Sequence, residues 1–261
     1  KYEEHIEELK TFINKSTETA DGKKVMLAAN IGGADEAAKA VKDGAEGVGL
    51  FRTEFLFLNK NALPTEEEQF EEYKKAAVLT KGMPLTIRTL DIGGDKDIPY
   101  MGLTKEANPF LGYRAIRFCL DRVDIFTTQL RAILRASAYG SIRIMIPMIT
   151  SVNEIRQVKE LIKKICSNLD HNGISYDKNI QTGVMIETPA AAVMADVIAQ
   201  EVDFFSIGTN DLTQYTIAVD RCNENVAYLY SAFNPAVLRL IRRIIECAHN
   251  AGIEAGMCGE A

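Results

Sequence analysis

Short runs of apolar residues alternate with amphipathic segments along the whole chain. The first run, VMLAANI at residues 25–31, ends at Gly32-Gly33 and precedes an alanine-rich helical pattern that a glycine closes. Apolar runs of this kind, bounded by turn residues, predict short strands that are buried on both faces. One β-turn-α unit is therefore expected at the start of the chain.

The same pattern recurs until the end of the sequence. Two capping boxes, Thr65-x-x-Glu68 and Ser151-x-x-Glu154, predict the starts of helices, and the first of these helices is expected to run through Lys81. Further strands are predicted at 47–57, 84–94, 141–149, 181–189 and 202–211, and after the helix that begins at Pro235. Strict alternation of strands and helices predicts a parallel sheet.

The polar residues at the strand ends favour a closed barrel over a doubly wound sheet. No Gly-x-Gly-x-x-Gly follows the first strand, and a length of 261 residues suits a single (β/α)8 TIM barrel. We expect that barrel at residues 21–261, lacking its eighth strand because only seven strands are predicted before the chain ends. Residues 1–20 are expected to form an amphipathic helical linker arm with Ile6, Leu9 and Ile13 on one face.

Composition excludes several classes of binding partner and site for this chain. Thirty basic against thirty-six acidic residues give a net charge of −6, which argues against nucleic acid or an anionic membrane as the general partner. The longest apolar runs are too short to span a membrane, and the charged start KYEEHIEELK is unlike a signal peptide, so a cytoplasmic location is expected. The five cysteines lack Cys-x-x-Cys spacing and indicate neither a disulfide framework nor a zinc site.

Several cations are expected at the barrel mouth of this acidic chain. Arg52, Arg88, Arg114 and Arg221 fall on strand ends or mouth loops, and Lys96 follows in GGDKD. Guanidinium groups bind phosphate and carboxylate bidentately, so such a group suits a phosphorylated or polycarboxylate ligand. The alternative is that each arginine pairs with a neighbouring carboxylate of the protein.

Two carboxylates and one thiol are the other candidates for chemistry. Glu187 and Asp211 lie at the ends of successive strands, where they suit a shared Mg2+, an Arg–carboxylate pair or a general acid/base pair. Cys258 ends the last strand between glycines, so its thiol is expected at the mouth, as a catalytic group or as a packing residue.

These residues belong to motifs that resemble one enzyme family. DFFSIGTNDLTQYTIAVDR at 203–221 resembles the signature of the phosphoenolpyruvate-utilising enzymes, and GLFRTEFLF, RTLDIGGDK, NPFLGYRAIR, GVMIETPAA and GMCGE follow that family's order. The variant forms are most similar to the enzyme I branch, which serves bacterial sugar phosphotransfer. The resemblance implies a (β/α)8 barrel that binds phosphoenolpyruvate and Mg2+ and forms a homodimer.

The resemblance also implies roles for individual residues. Glu187 and Asp211 match the family's Mg2+ ligands, and Cys258 matches the residue that protonates the enolate carbon to give pyruvate, with Glu260 beside it. The substrate-binding positions are Arg52 and Arg88 for the phosphate, Asn210 and Arg221 for other substrate contacts, and Arg114 and Lys96 on the substrate side.

In that branch the phosphoryl group passes to a histidine on a separate N-terminal domain and then to a small phosphocarrier protein. The resemblance implies the same partners for the complete protein that contains this chain. Three alternatives remain on the sequence: a domain of the pyruvate phosphate dikinase or phosphoenolpyruvate synthase type, a metal-dependent carbon–carbon lyase, and a non-catalytic module for ligand sensing and dimerisation.

Overall fold

Seven parallel strands, each hydrogen-bonded to the next in chain order, curve into a nearly closed barrel with one seam between the first and the last. The computed structural model describes residues 11–13, 15–58, 60–93, 96 and 98–259. The strands are β1 (Ala28–Ile31), β2 (Gly47–Arg52), β3 (Leu85–Arg88), β4 (Ile142–Ile146), β5 (Gln181–Ile186), β6 (Phe204–Gly208) and β7 (Glu254–Cys258). The predicted TIM barrel that lacks one strand is thereby confirmed.

Helices surround the strands in the order that a (β/α) barrel requires. They are α1 (Ala34–Lys42), α2 (Glu66–Leu79), α3 (Ile116–Asp121), α4 (Val123–Ala136), α5 (Val152–His171), α6 (Pro189–Val193), α7 (Ala195–Ile198), α8 (Thr209–Ile217) and α9 (Pro235–Ala251). Both predicted capping boxes are present, at Thr65 and at Ser151. Helix α2 ends before Lys81, because Lys81 adopts a left-handed backbone with φ 52°.

All six strands with predicted bounds are shorter in the structure, and the contacts of β1 and β2 show why. The N–H of Val25 bonds to Thr17 O at 2.9 Å, so Val25 pairs with the preceding segment instead of continuing β1 towards its N-terminus. Leu27 O accepts from the N–H of Glu46 at 2.9 Å, just before β1 and β2 begin. Strand β2 stops at Arg52, and a 3-10 turn at Thr53–Leu56 follows. The turn places Thr53 and Glu54 in the interior, where both are buried.

The predicted N-terminal arm falls mainly outside the described residues. Ile6 and Leu9 belong to that part, whereas Ile13 is described and its side chain lies beside Gly44. Residues 11–13 form a turn, and an isolated antiparallel bridge joins Glu18 to Lys24. Helix is thus not seen in the described part of residues 11–20.

Side chains alternate along each strand between two apolar environments. Ile186 on β5 points outward into the main core, between the sheet and the helices. Its neighbour Met185 points into the barrel, where it packs in a separate cluster with Leu50, Met145 and Phe204. This period-two alternation is a property of every β-strand. Because of this alternation, inward-pointing positions at the ends of the strands are occupied by the polar residues that line the mouth.

No helix in the described ranges combines the length and the apolar character that crossing a membrane requires.

Candidate active site

All nine residues that the sequence predicted for the site line one cavity of about 420 Å³ at the carboxyl ends of the strands. They are Arg52, Arg88, Lys96, Arg114, Glu187, Asn210, Asp211, Arg221 and Cys258. Because parallel strands in a barrel end at the same rim, the fold brings together residues that lie far apart in sequence.

Arg88, the last residue of β3, is held between two carboxylates. Its Nη2 donates to Glu54 Oε1 at 2.6 Å, and its Nη1 lies 3.1 Å from Asp91 Oδ2. All three side chains are largely shielded from solvent. Glu54 and Asp91 were not among the predicted site residues, although each follows a predicted arginine by two or three positions.

Arg114 continues this row of charges towards the other side of the cavity. Its Nη2 donates to Asp91 Oδ1 at 2.8 Å and lies 3.5 Å from Asp211 Oδ2. Its Nη1 donates to the Tyr215 hydroxyl at 3.3 Å. Glu54, Arg88, Asp91, Arg114 and Asp211 thus form a chain of alternating charge, which we call the charge row.

The charge row affects its two buried carboxylates in opposite ways. Burial raises the pKa of Asp91, but the adjacent guanidiniums of Arg88 and Arg114 outweigh it and leave that pKa below its ordinary value. Burial raises the pKa of Glu54 more than Arg88 lowers it, and nearby Asp91 raises it further. The second oxygen of Glu54, Oε2, is buried without a hydrogen-bond partner among the described residues. The pKa of Asp91 is thus lowered and that of Glu54 raised, although both carboxylates contact Arg88.

Arg52 reaches the cavity from the end of β2, and Asn210 from the first turn of α8. The Arg52 guanidinium carbon lies 4.9 Å from the centre of the Phe55 ring, and its Nε is buried without a hydrogen-bond partner among the described residues. The Tyr230 hydroxyl lies 3.3 Å from Asn210 Oδ1 and fixes the amide. Arg52 is therefore oriented by an aromatic face and keeps polar capacity for a ligand.

Glu187 is a buried carboxylate among other carboxylates. Its Oε1 accepts a 2.7 Å hydrogen bond from the N–H of Met148, a residue in the left-handed region with φ 58°. Its Oε2 approaches Gly208 so closely that a Cβ there would lie 2.7 Å away. Burial, together with the nearby charges of Asp211 and Asp91, raises the pKa of Glu187 to about 8. A side chain at position 208 would displace the carboxylate.

Glu187 and Asp211 fit a hard divalent cation. In the described part of the chain, no group of three or more His, Cys, Asp or Glu side chains is placed to hold a metal by itself. Mg2+ usually needs only one or two protein carboxylates, with water and substrate oxygens as its other ligands. Glu187 and Asp211 both line the cavity, and the mutual repulsion of buried carboxylates is what a bound cation relieves.

Cys258 is the one of the five cysteines that lines the cavity. Its Sγ lies 3.8 Å from Ser206 Oγ and 3.6 Å from the Ile207 carbonyl oxygen. Burial raises the pKa of the Cys258 thiol. The group therefore carries its proton at neutral pH, as a proton donor must. Glu260, its predicted helper, lies outside the described residues.

Comparisons with known proteins agree with this arrangement. Residues 6–261 match a family described as "PEP-utilising enzyme, PEP-binding domain". The chain is 55% identical over 260 residues to the phosphoenolpyruvate-protein phosphotransferase of Geobacillus stearothermophilus, covering 100% of this chain and 45% of that protein. It is 54% identical over 248 residues to the protein of the same name from Bacillus subtilis, covering 95% and 44%. The chain thus spans about half the length of these curated relatives.

A solved structure shares the fold at low sequence identity. Macrophomate synthase matches with a TM-score of 0.53 and 14% identity, over 88% of this chain and 70% of that one. The structural likeness supports a common barrel architecture alone.

A buried polar network supports the strand ends from below. The Thr53 hydroxyl donates to Arg88 O at 2.9 Å and accepts from Gln129 Nε2 at 3.2 Å. Gln129 Oε1 accepts from the N–H of Leu90 at 2.8 Å, and its Nε2 also reaches the Tyr73 hydroxyl at 3.3 Å. Helices α2 and α4 are thereby tied to the ends of β2 and β3. The network holds the backbone that presents Arg52, Glu54, Arg88 and Asp91.

Replacing Thr53 tests this support. Thr53→Val keeps the shape but removes the hydroxyl, leaving buried polar partners unsatisfied, so it should lower the free energy of unfolding by about 1–3 kcal/mol. Thr53→Ser keeps the hydroxyl and loses one methyl group, which costs roughly 0.8 kcal/mol. Urea unfolding of both variants is the measurement. A valine variant as stable as the serine variant would contradict a supporting role for the hydroxyl.

Proposed function

The chain belongs to the family of PEP-utilising enzymes, as their PEP-binding domain, and on that basis we propose that it binds phosphoenolpyruvate and serves as the catalytic barrel of a phosphoenolpyruvate-protein phosphotransferase. The observation that carries the proposal is the single cavity shared by the arginines, the paired carboxylates and the thiol. The relatives that match over nearly the whole chain carry that name. The low-identity likeness to macrophomate synthase supports the barrel alone, and no feature of the site favours a lyase.

Arg52 and Arg88 bind the phosphoryl group in this proposal. Arg88 is anchored by Glu54 and Asp91 through different nitrogens, so its guanidinium is oriented before a ligand arrives. As the phosphoryl group leaves, negative charge spreads over its oxygens and the departing enolate. Cations already fixed at that place stabilise this charge without reorganising. Lys96, Arg114, Asn210 and Arg221 provide the further contacts to substrate.

Glu187 and Asp211 hold Mg2+ in this proposal, and the ion when bound supplies positive charge that orients and neutralises substrate oxygens. The residues of the chain prepare that site. The N–H of Met148 fixes Glu187 Oε1, and the absence of a side chain at Gly208 leaves room for Oε2. Arg114 restrains Asp211 from the opposite side.

Cys258 donates the proton that completes the reaction. The bond between the enol oxygen and phosphorus breaks, the phosphoryl group passes to its acceptor, and the enolate takes the thiol proton at its terminal carbon to become pyruvate. The thiolate then regains a proton from solvent. A thiol whose pKa is raised by burial is protonated at neutral pH, so it holds its proton until the enolate carbon accepts it.

The remaining functions concern the longer protein. We propose that the acceptor is a histidine on an N-terminal domain, that a small phosphocarrier protein receives the group next, and that sugar uptake uses it. The length of the relatives, of which this chain covers 45% and 44%, leaves room for such a domain. A cytoplasmic location and a two-fold homodimer belong to the same proposal. Exposed aromatic side chains at Tyr228 and Phe233 are consistent with a contact surface.

Removing either metal carboxylate tests the Mg2+ assignment. Glu187→Ala and Asp211→Ala should each abolish the Mg2+ dependence of phosphoenolpyruvate binding and most of the affinity, because the ion loses one of its two protein ligands. Titration calorimetry with and without Mg2+ measures both quantities. Glu254→Ala, at the opposite end of the barrel, is the control and should bind as the wild type does. Unchanged affinity in either site variant would overturn the metal assignment.

Arg88→Lys tests the fork geometry at constant charge. A lysine ammonium cannot span Glu54 and Asp91 and also present two parallel donors to a phosphate. Binding of phosphoenolpyruvate should weaken by about 1.5–3 kcal/mol, the usual contribution of a hydrogen bond to a charged group. Arg143→Lys is a matched control, since Arg143 pairs with Glu254 at 2.7 Å away from the mouth. Equal affinities of wild type and Arg88→Lys would exclude a bidentate role.

Cys258→Ala separates binding from proton transfer. The variant should bind Mg2+ and phosphoenolpyruvate nearly as the wild type does. Its hydrogen exchange at the methyl carbon of pyruvate should fall by roughly 10²–10⁴-fold, the usual effect of losing a general acid. The exchange is measured by NMR in the full-length protein, with Cys247→Ala on α9 as the control. Wild-type exchange in Cys258→Ala would mean that another group donates the proton.

A further inference from the structure

The floor of the cavity is apolar, in contrast to its charged walls. Leu50 and Met185 line the cavity and belong to the cluster inside the barrel with Met145 and Phe204. Cys258 packs against the same cluster. Met185 Sδ lies 3.9 Å from Arg88 Nη1, so the apolar floor begins directly beside the phosphate-binding side of the site.

We propose that Leu50 and Met185 form a steric floor that restricts the substrate to enol phosphates whose terminal carbon is an unsubstituted methylene. This inference rests on the proposed function, in which Cys258 donates a proton to that carbon. The carbon must then approach Cys258 Sγ, and the side chains packed around that sulfur meet any group attached to it. The floor thus determines which enol phosphates are accepted.

The side chains of the floor are tightly packed and have little room to move aside for a larger substrate. Leu50 is 5% exposed and Met185 1% exposed. Behind them lie Met145 and Phe204, both buried and in the same cluster. Protein interiors are packed to the density of organic crystals, so an added methyl group forces neighbours out of position. Discrimination against one extra methylene in such a pocket amounts to roughly 10- to 200-fold.

The charged walls prevent the substrate from binding in the reverse orientation, with its phosphate or carboxylate on the apolar floor. Arg52, Arg88 and Arg114 lie at or above the strand ends, and the buried cluster provides no polar partner for a phosphate or a carboxylate. Burying an ionised group against such a surface carries a large desolvation cost. The apolar carbon is the part of the substrate that can face Leu50 and Met185.

Binding of two enol phosphates tests the proposal. Phosphoenolpyruvate and (Z)-phosphoenol-2-oxobutyrate, which differs by one methyl group at the terminal carbon, are titrated calorimetrically into the chain with Mg2+. The wild type should bind phosphoenolpyruvate at least about 10-fold more tightly than the methylated analogue. Met185→Ala opens the floor and should reduce this preference several-fold, mainly by improving the binding of the analogue.

Ile186→Ala is the matched control. It removes a similar side-chain volume one residue further along β5, but on the face that packs into the main core. It should lower stability without changing the preference for phosphoenolpyruvate. If Met185→Ala does not fold, Leu50→Val opens the same floor by one methylene group, and the same direction of change is expected.

The outcomes separate the inference from the proposed function. If the wild type binds both compounds equally, or if Ile186→Ala changes the preference as much as Met185→Ala, the steric floor is wrong and phosphoenolpyruvate binding still stands. If the wild type binds neither compound, the proposed function fails and the inference fails with it.

Discussion

The burial of charge at the barrel mouth is the constraint on which the rest of the site depends. The charge row joins the turn after β2, the end of β3, the loop beyond it, the approach to α3 and the start of α8. Removing ions from water costs several kcal/mol each, and that cost is offset only where partners are well placed. Each guanidinium in the row has at least one carboxylate in contact. The fold therefore needs the row intact before any ligand binds, and the ligand meets cations that are already oriented.

The row also shifts the pKa values of the carboxylates in and around it. Asp91 lies between two guanidiniums, which lower its pKa, whereas burial raises the pKa of Glu54 and of Glu187. Charge is thus distributed unevenly within one small volume. The side near Arg88 and Arg114 is close to neutral through pairing, while the side near Glu187 and Asp211 accumulates carboxylates. Repulsion among these carboxylates is what a bound divalent cation would relieve.

The sequence was sufficient to predict the barrel, because the patterns that indicate strands and helices are local and alternate without interruption. The nine cavity residues were also predictable, since strand ends in a parallel barrel meet at one rim. Glu54 and Asp91 were missed because the pattern does not tell which carboxylate pairs with which arginine. The end of β2 was missed as well, because the Thr53 hydroxyl donates to Arg88 O on another strand, a contact that a local pattern does not reveal. Local patterns predict elements, whereas long-range polar contacts decide where they end.

Strand β3 is hydrogen-bonded to a neighbouring strand on both of its sides. Backbone of this kind opens only together with much of the sheet, and its amide hydrogens exchange slowly with solvent. Arg88, and with it the charge row, therefore lies on a part of the barrel that has little local freedom. The orientation of its guanidinium is as durable as the sheet itself.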